Sequence, residues 1–201
     1  MWPWEHAIVG YLAYSLFAHL YYRESPDGLE AFAVVFASVL PDLIDKPLAW
    51  EFGVFESGYA LGHSIFFAVP LSLAVGLLAR RVGKGPAGVA FGVGYLLHLP
   101  ADVLDTYLRG GQYTPEILLW PVSTVDGVQE QTGFTDEFVR LFGRYQQDLL
   151  AGDLSTYMWV QVGLAGLAAL VWLADGAPVL RECLVGCKRL VIALVGGRDP
   201  M

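Results

Sequence analysis

The sequence predicts an all-α integral membrane protein: a helical bundle of four to five spanning helices plus amphipathic interfacial helices. Two observations carry this expectation. Hydrophobic residues make up 55% of the 201-residue chain and charged residues only 16%, where soluble domains run at roughly 45–50% and about 25%. Mean hydropathy is +0.50. The apolar residues also fall into continuous runs near the roughly 20 residues that cross a bilayer. A bundle buried inside a soluble protein would need more polar face than these runs offer. The chain is expected to be a single domain (1–201). Its parts are a four-helix core over 1–106, an extramembrane loop over 107–155, a fifth helix over 156–175 and a cytoplasmic tail over 176–201.

The first predicted helix covers 7–22. The second begins near Ala31 and meets Pro41 after ten residues, resuming briefly as Leu43 and Ile44 before Asp45, Lys46 and Pro47. That pattern predicts a short, tilted or partly re-entrant helix. The third covers 59–79, the fourth 86–104 and the fifth 157–174. Pro100 should kink the fourth helix and turn His98 and Asp102 toward the bundle axis. Gly88 and Gly92 form a small-xxx-small pair suited to close packing. In the loop, Thr135, Asp136 and Glu137 can start a helix. Phe138, Leu141, Phe142, Tyr145 and Leu149 then recur at helical spacing. This predicts an amphipathic helix that covers a site or rests on the bilayer. The stretch 179–195 carries Arg181, Glu182, Lys188 and Arg189, too many charges to span, and should lie in the interface.

Twenty acidic residues against twelve basic ones leave a net charge of −8, which disfavours a nucleic-acid partner. Arg23, Arg80, Arg81, Lys84, Arg181, Lys188, Arg189 and Arg198 fall on one predicted side; Lys46, Arg109, Arg140 and Arg144 fall on the other. The bias places the N-terminus outside an inner membrane and the C-terminus in the cytoplasm. Trp2, Trp4, Trp50, Trp120 and Trp159 gather on the outer side, as interfacial aromatics do. No basic leader precedes His6, which is expected to persist in the mature chain. Cys183 and Cys187, at i,i+4, are either packing residues on one helix face or acylation sites. Seven acids but three arginines occupy 107–155, and the chain has three lysines to nine arginines. Adaptation to high salt and a base-composition bias both account for that pattern.

Ionisable side chains inside spans are costly and point to function. They are His6, His19, Asp42, Asp45, His63, His98, Asp102 and Asp105, and all but His19 map to the outer ends of four helices. His98, Asp102 and Asp105 share one helix face, as do Asp42 and Asp45. Imidazole with carboxylate is a ligand set for Zn²⁺, Mn²⁺ or Fe²⁺. Without a cation, carboxylates gathered at a low-dielectric rim would repel and take up protons. The candidate ligands are His6, Asp42, His63, His98 and Asp102. Asp105 and Asp45 are candidate general bases, or stand behind the ligands; Asp45 is alternatively a partner for Lys46. His19 lies thirteen residues from His6, roughly 20 Å along a helix, and is expected to be structural.

The ordered run of His6, Pro41-Asp42 with Asp45, His63-Ser64, His98 with Asp102, and Trp120-Pro121 resembles the YdjM-like family from the N-terminus to about Ser123. That family is described as membrane-bound, metal-dependent hydrolases. A more distant similarity is to zinc-dependent phospholipase C and its nuclease relatives, all-helical enzymes with the same ordered set. The likeness implies that Asp42, His63, His98 and Asp102 hold one metal, and that His6, with Asp102 bridging, helps hold a second. Those relatives supply further histidines and a glutamate, whereas this chain has no histidine after His98. One ion, or a pair completed by Asp45 or Asp105, is what the residues support.

The function expected is hydrolysis of a phosphoester, from a lipid or the cell envelope, by water that a bound metal brings toward a pKa of about 7. The alternative is a metal-binding membrane protein without catalysis: a sensor, a carrier or a metal-stapled structural protein. A carrier needs polar residues through the bilayer, and only Gln161 and His19 offer them. Oligomeric state has no sequence signal.

Overall fold

A computed structural model describes residues 1–110, 112–125, 133–151 and 155–196. Arg198 and the side chains of Arg109 and Leu149 lie outside the described residues. Among the described residues the fold is all-α, with seven α-helices and no strand. They are α1 (Pro3–Phe17), α2 (Gly28–Trp50), α3 (Ile65–Arg81), α4 (Gly85–Gly110), α5 (Phe134–Ala151), α6 (Thr156–Ala174) and α7 (Leu180–Gly196). A π-helical turn, Ala18–Tyr22, extends α1, and a short 3-10 helix, Pro115–Leu118, follows α4.

Local chemistry sets the helix ends. Pro3 opens α1, where its missing N–H costs nothing, and Glu5 reaches back to accept from the Trp2 amide at 2.6 Å. The helix therefore starts four residues earlier than its apolar run suggests and includes His6. Asp27 caps α2 by accepting from the Glu30 amide at 2.8 Å. This helix is not short: it runs 23 residues through both Pro41 and Pro47. The third predicted helix loses its first turn instead. The amides of Ala60, Gly62 and His63 turn to Asp45 at 2.8, 2.8 and 3.0 Å. Ser64 then caps α3, accepting from Phe66. His63 thus sits in a loop rather than inside a helix. α4 continues unbroken through Pro100 to Gly110, longer than expected.

α1, α2, α3 and α4 form the core, with α2 against α4 the most extensive interface. Three small residues bring α1, α2 and α4 together at one crossing. A Cβ on Gly94 would overlap the Val34 carbonyl oxygen, and one on Gly10 would overlap the Ser38 hydroxyl. Gly88 serves α3 in the same way, since its Cβ would meet Gly76 Cα at 2.9 Å, but Gly92 has only an ordinary contact at 4.0 Å. At the far end, buried Asp175 accepts from Tyr11, Ser15 and His19, each at 2.7 Å. His19 thereby helps tie the end of α6 to α1.

α5 lies over the start of α1. Trp2 and Trp4 stack at 4.6 Å, and Phe138, Phe142 and Tyr145 pack around them. Cys183 and Cys187 are exposed on α7, so the packing role expected for them does not hold. Among the described residues, two helical segments, Gly85–Leu108 and Thr156–Ala174, are long and apolar enough to cross a membrane.

The crossing makes a sharp prediction. Gly94→Ala should cost about 1–3 kcal/mol through overpacking. Gly92→Ala, two residues away, should be neutral or add about 0.5–1 kcal/mol through lower backbone entropy. Unfolding of the two variants in detergent micelles checks the contrast; equal effects would mean that the crossing is not tight.

Candidate metal centre

The three-helix crossing also aims the site. His6 precedes Gly10 by four residues, Asp42 follows Ser38 by four, and His98 follows Gly94 by four. Each is one helical turn from the crossing and on the same face of its helix. Asp102 stands one turn beyond His98. His63 enters from the loop before α3. Asp42, His63, His98 and Asp102 are all buried, and one ligand atom from each lies within 4.8 Å of every other.

The orientation of the two imidazoles follows from their outer nitrogens. His98 Nδ1 meets the Ser38 carbonyl oxygen at 2.6 Å. A carbonyl only accepts, so this nitrogen carries the proton. His63 Nδ1 donates to Asp45 Oδ2 at 2.8 Å. With Nδ1 turned outward on both rings, the two Nε2 atoms face one another, 3.0 Å apart. Asp102 Oδ2 lies 3.2 and 3.3 Å from these nitrogens, and Asp42 Oδ1 lies 3.5 and 3.8 Å from them. Bonds of about 2.0–2.1 Å around a tetrahedral metal give ligand–ligand edges of roughly 3.3 Å. The five separations scatter around that value, so the residues fit a divalent ion. Burial lowers the His63 pKa, but the Asp102, Asp42 and Asp45 carboxylates outweigh it and push the value up to about 10. Cation or proton, positive charge is what this arrangement takes.

His6 stands beside this cluster, its ring stacked on His98 at 3.7 Å. Its Nε2 is 3.1 Å from Asp102 Oδ1, although neither ring nitrogen makes a hydrogen bond. The α-amino group of Met1 is 2.9 Å from the same Asp102 oxygen and 3.1 Å from Asp105 Oδ2. Asp102 therefore turns one oxygen to His63 and His98 and the other to His6 and Met1. Tyr157 links Asp105 Oδ1, at 3.0 Å, to Glu5 Oε1, at 2.5 Å.

Two expectations need correction. Asp45 is not placed to take a proton from a bound water. Both its oxygens already accept from the loop amides or from His63 Nδ1, on the side of that ring away from the cluster. It is a positioning residue of the kind that orients metal-binding histidines. Nor does it pair with Lys46. Lys46 Nζ meets Asp42 Oδ1 at 2.7 Å, because i,i+4 residues share a face. Lys46, Glu5, Tyr157, the Met1 amine and the Ser38 carbonyl were not anticipated. Lys46 had a signal in its i,i+4 spacing from Asp42; Glu5, next to His6 in the chain, and the two backbone groups had none.

The model of the YdjM inner membrane protein family matches residues 1–177. The chain belongs to the YdjM family. The match reaches well past Ser123 and takes in α5 and α6, leaving α7 outside it. No curated protein and no solved structure matches the chain, and the expected resemblance to phospholipase C is not shown. YdjM membership makes this an inner-membrane protein with a buried His/Asp cluster able to hold a metal ion.

Asp45→Asn should lower the stability of the metal-free protein by about 3 kcal/mol, as loss of a buried charged partner does. Amide exchange at Ala60, Gly62 and His63 should quicken with it. Unchanged exchange in that loop would contradict the positioning role.

Proposed function

We propose that this YdjM protein is a membrane-bound, metal-dependent hydrolase acting on a phosphoester of a lipid or envelope molecule. The observation that carries the reading is the convergence of the His63 and His98 Nε2 atoms with the Asp42 and Asp102 oxygens in one buried cluster. Two nitrogens and two oxygens at near-tetrahedral separations favour zinc, with manganese or iron as other choices for the same donors. His6, Asp102 and Asp105 are candidates to hold a second ion.

A metal bound there would polarise a phosphoryl oxygen and acidify a water. The chain's own groups supply the remainder. Asp105, at the rim beside Asp102, is the group that receives the proton. Lys46 lines a cavity of about 370 Å³ with Trp2, Asp42, Trp50, Phe138 and Leu141. Its ammonium, paired with Asp42 at 2.7 Å, would also meet an anionic headgroup entering under α5. The absence of cysteine from the cluster suits a catalytic rather than a structural site.

The membrane reading extends the two span-length helices to a bundle of four to five spans. Leu73, Leu77 and Leu78 on α3 and Leu16 on α1 are exposed apolar residues that lipid would cover. The lysine and arginine bias puts the N-terminus and cluster outside and the C-terminus in the cytoplasm. The cluster then lies level with lipid headgroups.

Detergent-purified protein loaded with zinc should hydrolyse a nitrophenyl phosphodiester or phospholipid vesicles. His98→Ala should lose about 100-fold or more. Lys46→Ala should raise KM about tenfold, the worth of one charged hydrogen bond, with kcat much less affected. Turnover equal in wild type and His98→Ala would refute the assignment.

A further inference from the structure

A crevice of about 410 Å³ runs beside the cluster, between α4 and α6 with α1 as its floor. Its size is within the roughly 300–1,000 Å³ range of small-molecule sites. Leu104 and Leu108 line it from α4, Val160 and Leu164 from α6, and Ile8 and Val9 from α1. The slot exists because α6 packs mainly on α1 and has no extensive interface with α4. Its two walls belong to the two helices of membrane-spanning length and hydropathy, so its side opening faces the hydrocarbon of a bilayer.

The polar groups of the crevice are linked to one another and to the cluster. Tyr157 joins Glu5 and Asp105, and the Gln161 amide donates to Glu5. The Met1 amine joins Asp105 to Asp102. One end of the crevice thus reaches the metal cluster, while the lining away from these polar groups is aliphatic: Ile8, Val9, Leu104, Leu108, Val160 and Leu164. Water does not settle in such apolar space, and an amphiphile matches it: polar end at Asp105, apolar end between the helices.

We infer that this crevice holds one hydrocarbon tail of a membrane lipid whose headgroup lies at the His/Asp cluster. This rests on the proposed function for the headgroup and deepens it: the substrate is a lipid phosphoester that enters sideways from the bilayer, not a soluble phosphoester. Leu104, Leu108, Val160 and Leu164 select for the tail, and α4 carries both the tail wall and two of the cluster's side chains.

The test uses the full chain in phosphatidylethanolamine–phosphatidylglycerol vesicles containing a phospholipid with a diazirine near its tail end. After irradiation, labelled residues are mapped by mass spectrometry, with and without chelator. Labels should concentrate at Leu104, Leu108, Val160 and Leu164, above the level at Leu73 and Leu77, which are exposed on α3. Ala101→Trp, and independently Ala165→Trp, should reduce the crevice labels to the α3 level and leave the α3 labels unchanged. Equal labelling of crevice and α3 in the wild type would mean ordinary surrounding lipid and would overturn the inference. Crevice labels that persist in both tryptophan variants would overturn it too. Labelling needs no turnover. A labelled crevice in a protein that hydrolyses nothing would refute the hydrolase alone, and an active enzyme with an unlabelled crevice would refute only the tail site.

Discussion

Two imidazole Nε2 atoms aimed at one another across 3.0 Å are the constraint on which the rest of this structure turns. Neither ring can turn away without cost. His98 is held through Nδ1 by a carbonyl of α2, and His63 by a carboxylate that also binds three amides of its loop. Two buried carboxylates beside these rings need a positive charge among them. The fold supplies the holders, and the cluster in turn explains features that look unfavourable by themselves. Prolines stand within α2, and a loop replaces the first turn expected of α3. An aspartate is fully buried in a chain otherwise poor in charge.

Backbone proximity makes this precision possible. Gly10, Ser38 and Gly94 let three helices meet with almost no side chain between them. His6, Asp42 and His98 each stand one turn from that point, on the same face as the small residue. Small errors in helix packing are magnified with distance along a helix. Ligands placed one turn, roughly 6 Å, from a tight crossing inherit its rigidity. At the opposite end Asp175 gathers Tyr11, Ser15 and His19. α6 is thereby tied to α1 at that end, while beside the cluster Tyr157 links it to Asp105 of α4 above an otherwise open crevice.

Much of the site could be read from residue order alone. Charged side chains are rare enough in this chain that their position in each apolar run revealed a common end. Asp42, His63, His98 and Asp102 were all found that way. What escaped was the direction of each side chain and the role of the backbone. Asp45 and Asp42 are equivalent by spacing, yet one faces the loop amides and the other the cluster. Periodicity carries no information on which carbonyl His98 uses or where the Met1 amine falls. Pro41 and Pro47 suggested a short helix because proline disfavours a helix interior; packing against α4 overrides that local preference. α5 was evident from its apolar stripe, but its seat on Trp2 and Trp4 is a long-range contact that no local pattern encodes.

The most direct test of the central claim is X-ray absorption at the metal edge of the purified, metal-loaded protein, with stoichiometry measured on the same sample. The account predicts an ion coordinated by two imidazole nitrogens and carboxylate oxygens, with no sulfur, and loss of both imidazole signals when His63 and His98 are replaced together. A protein that retains no ion, or one whose ion shows no imidazole, would contradict it.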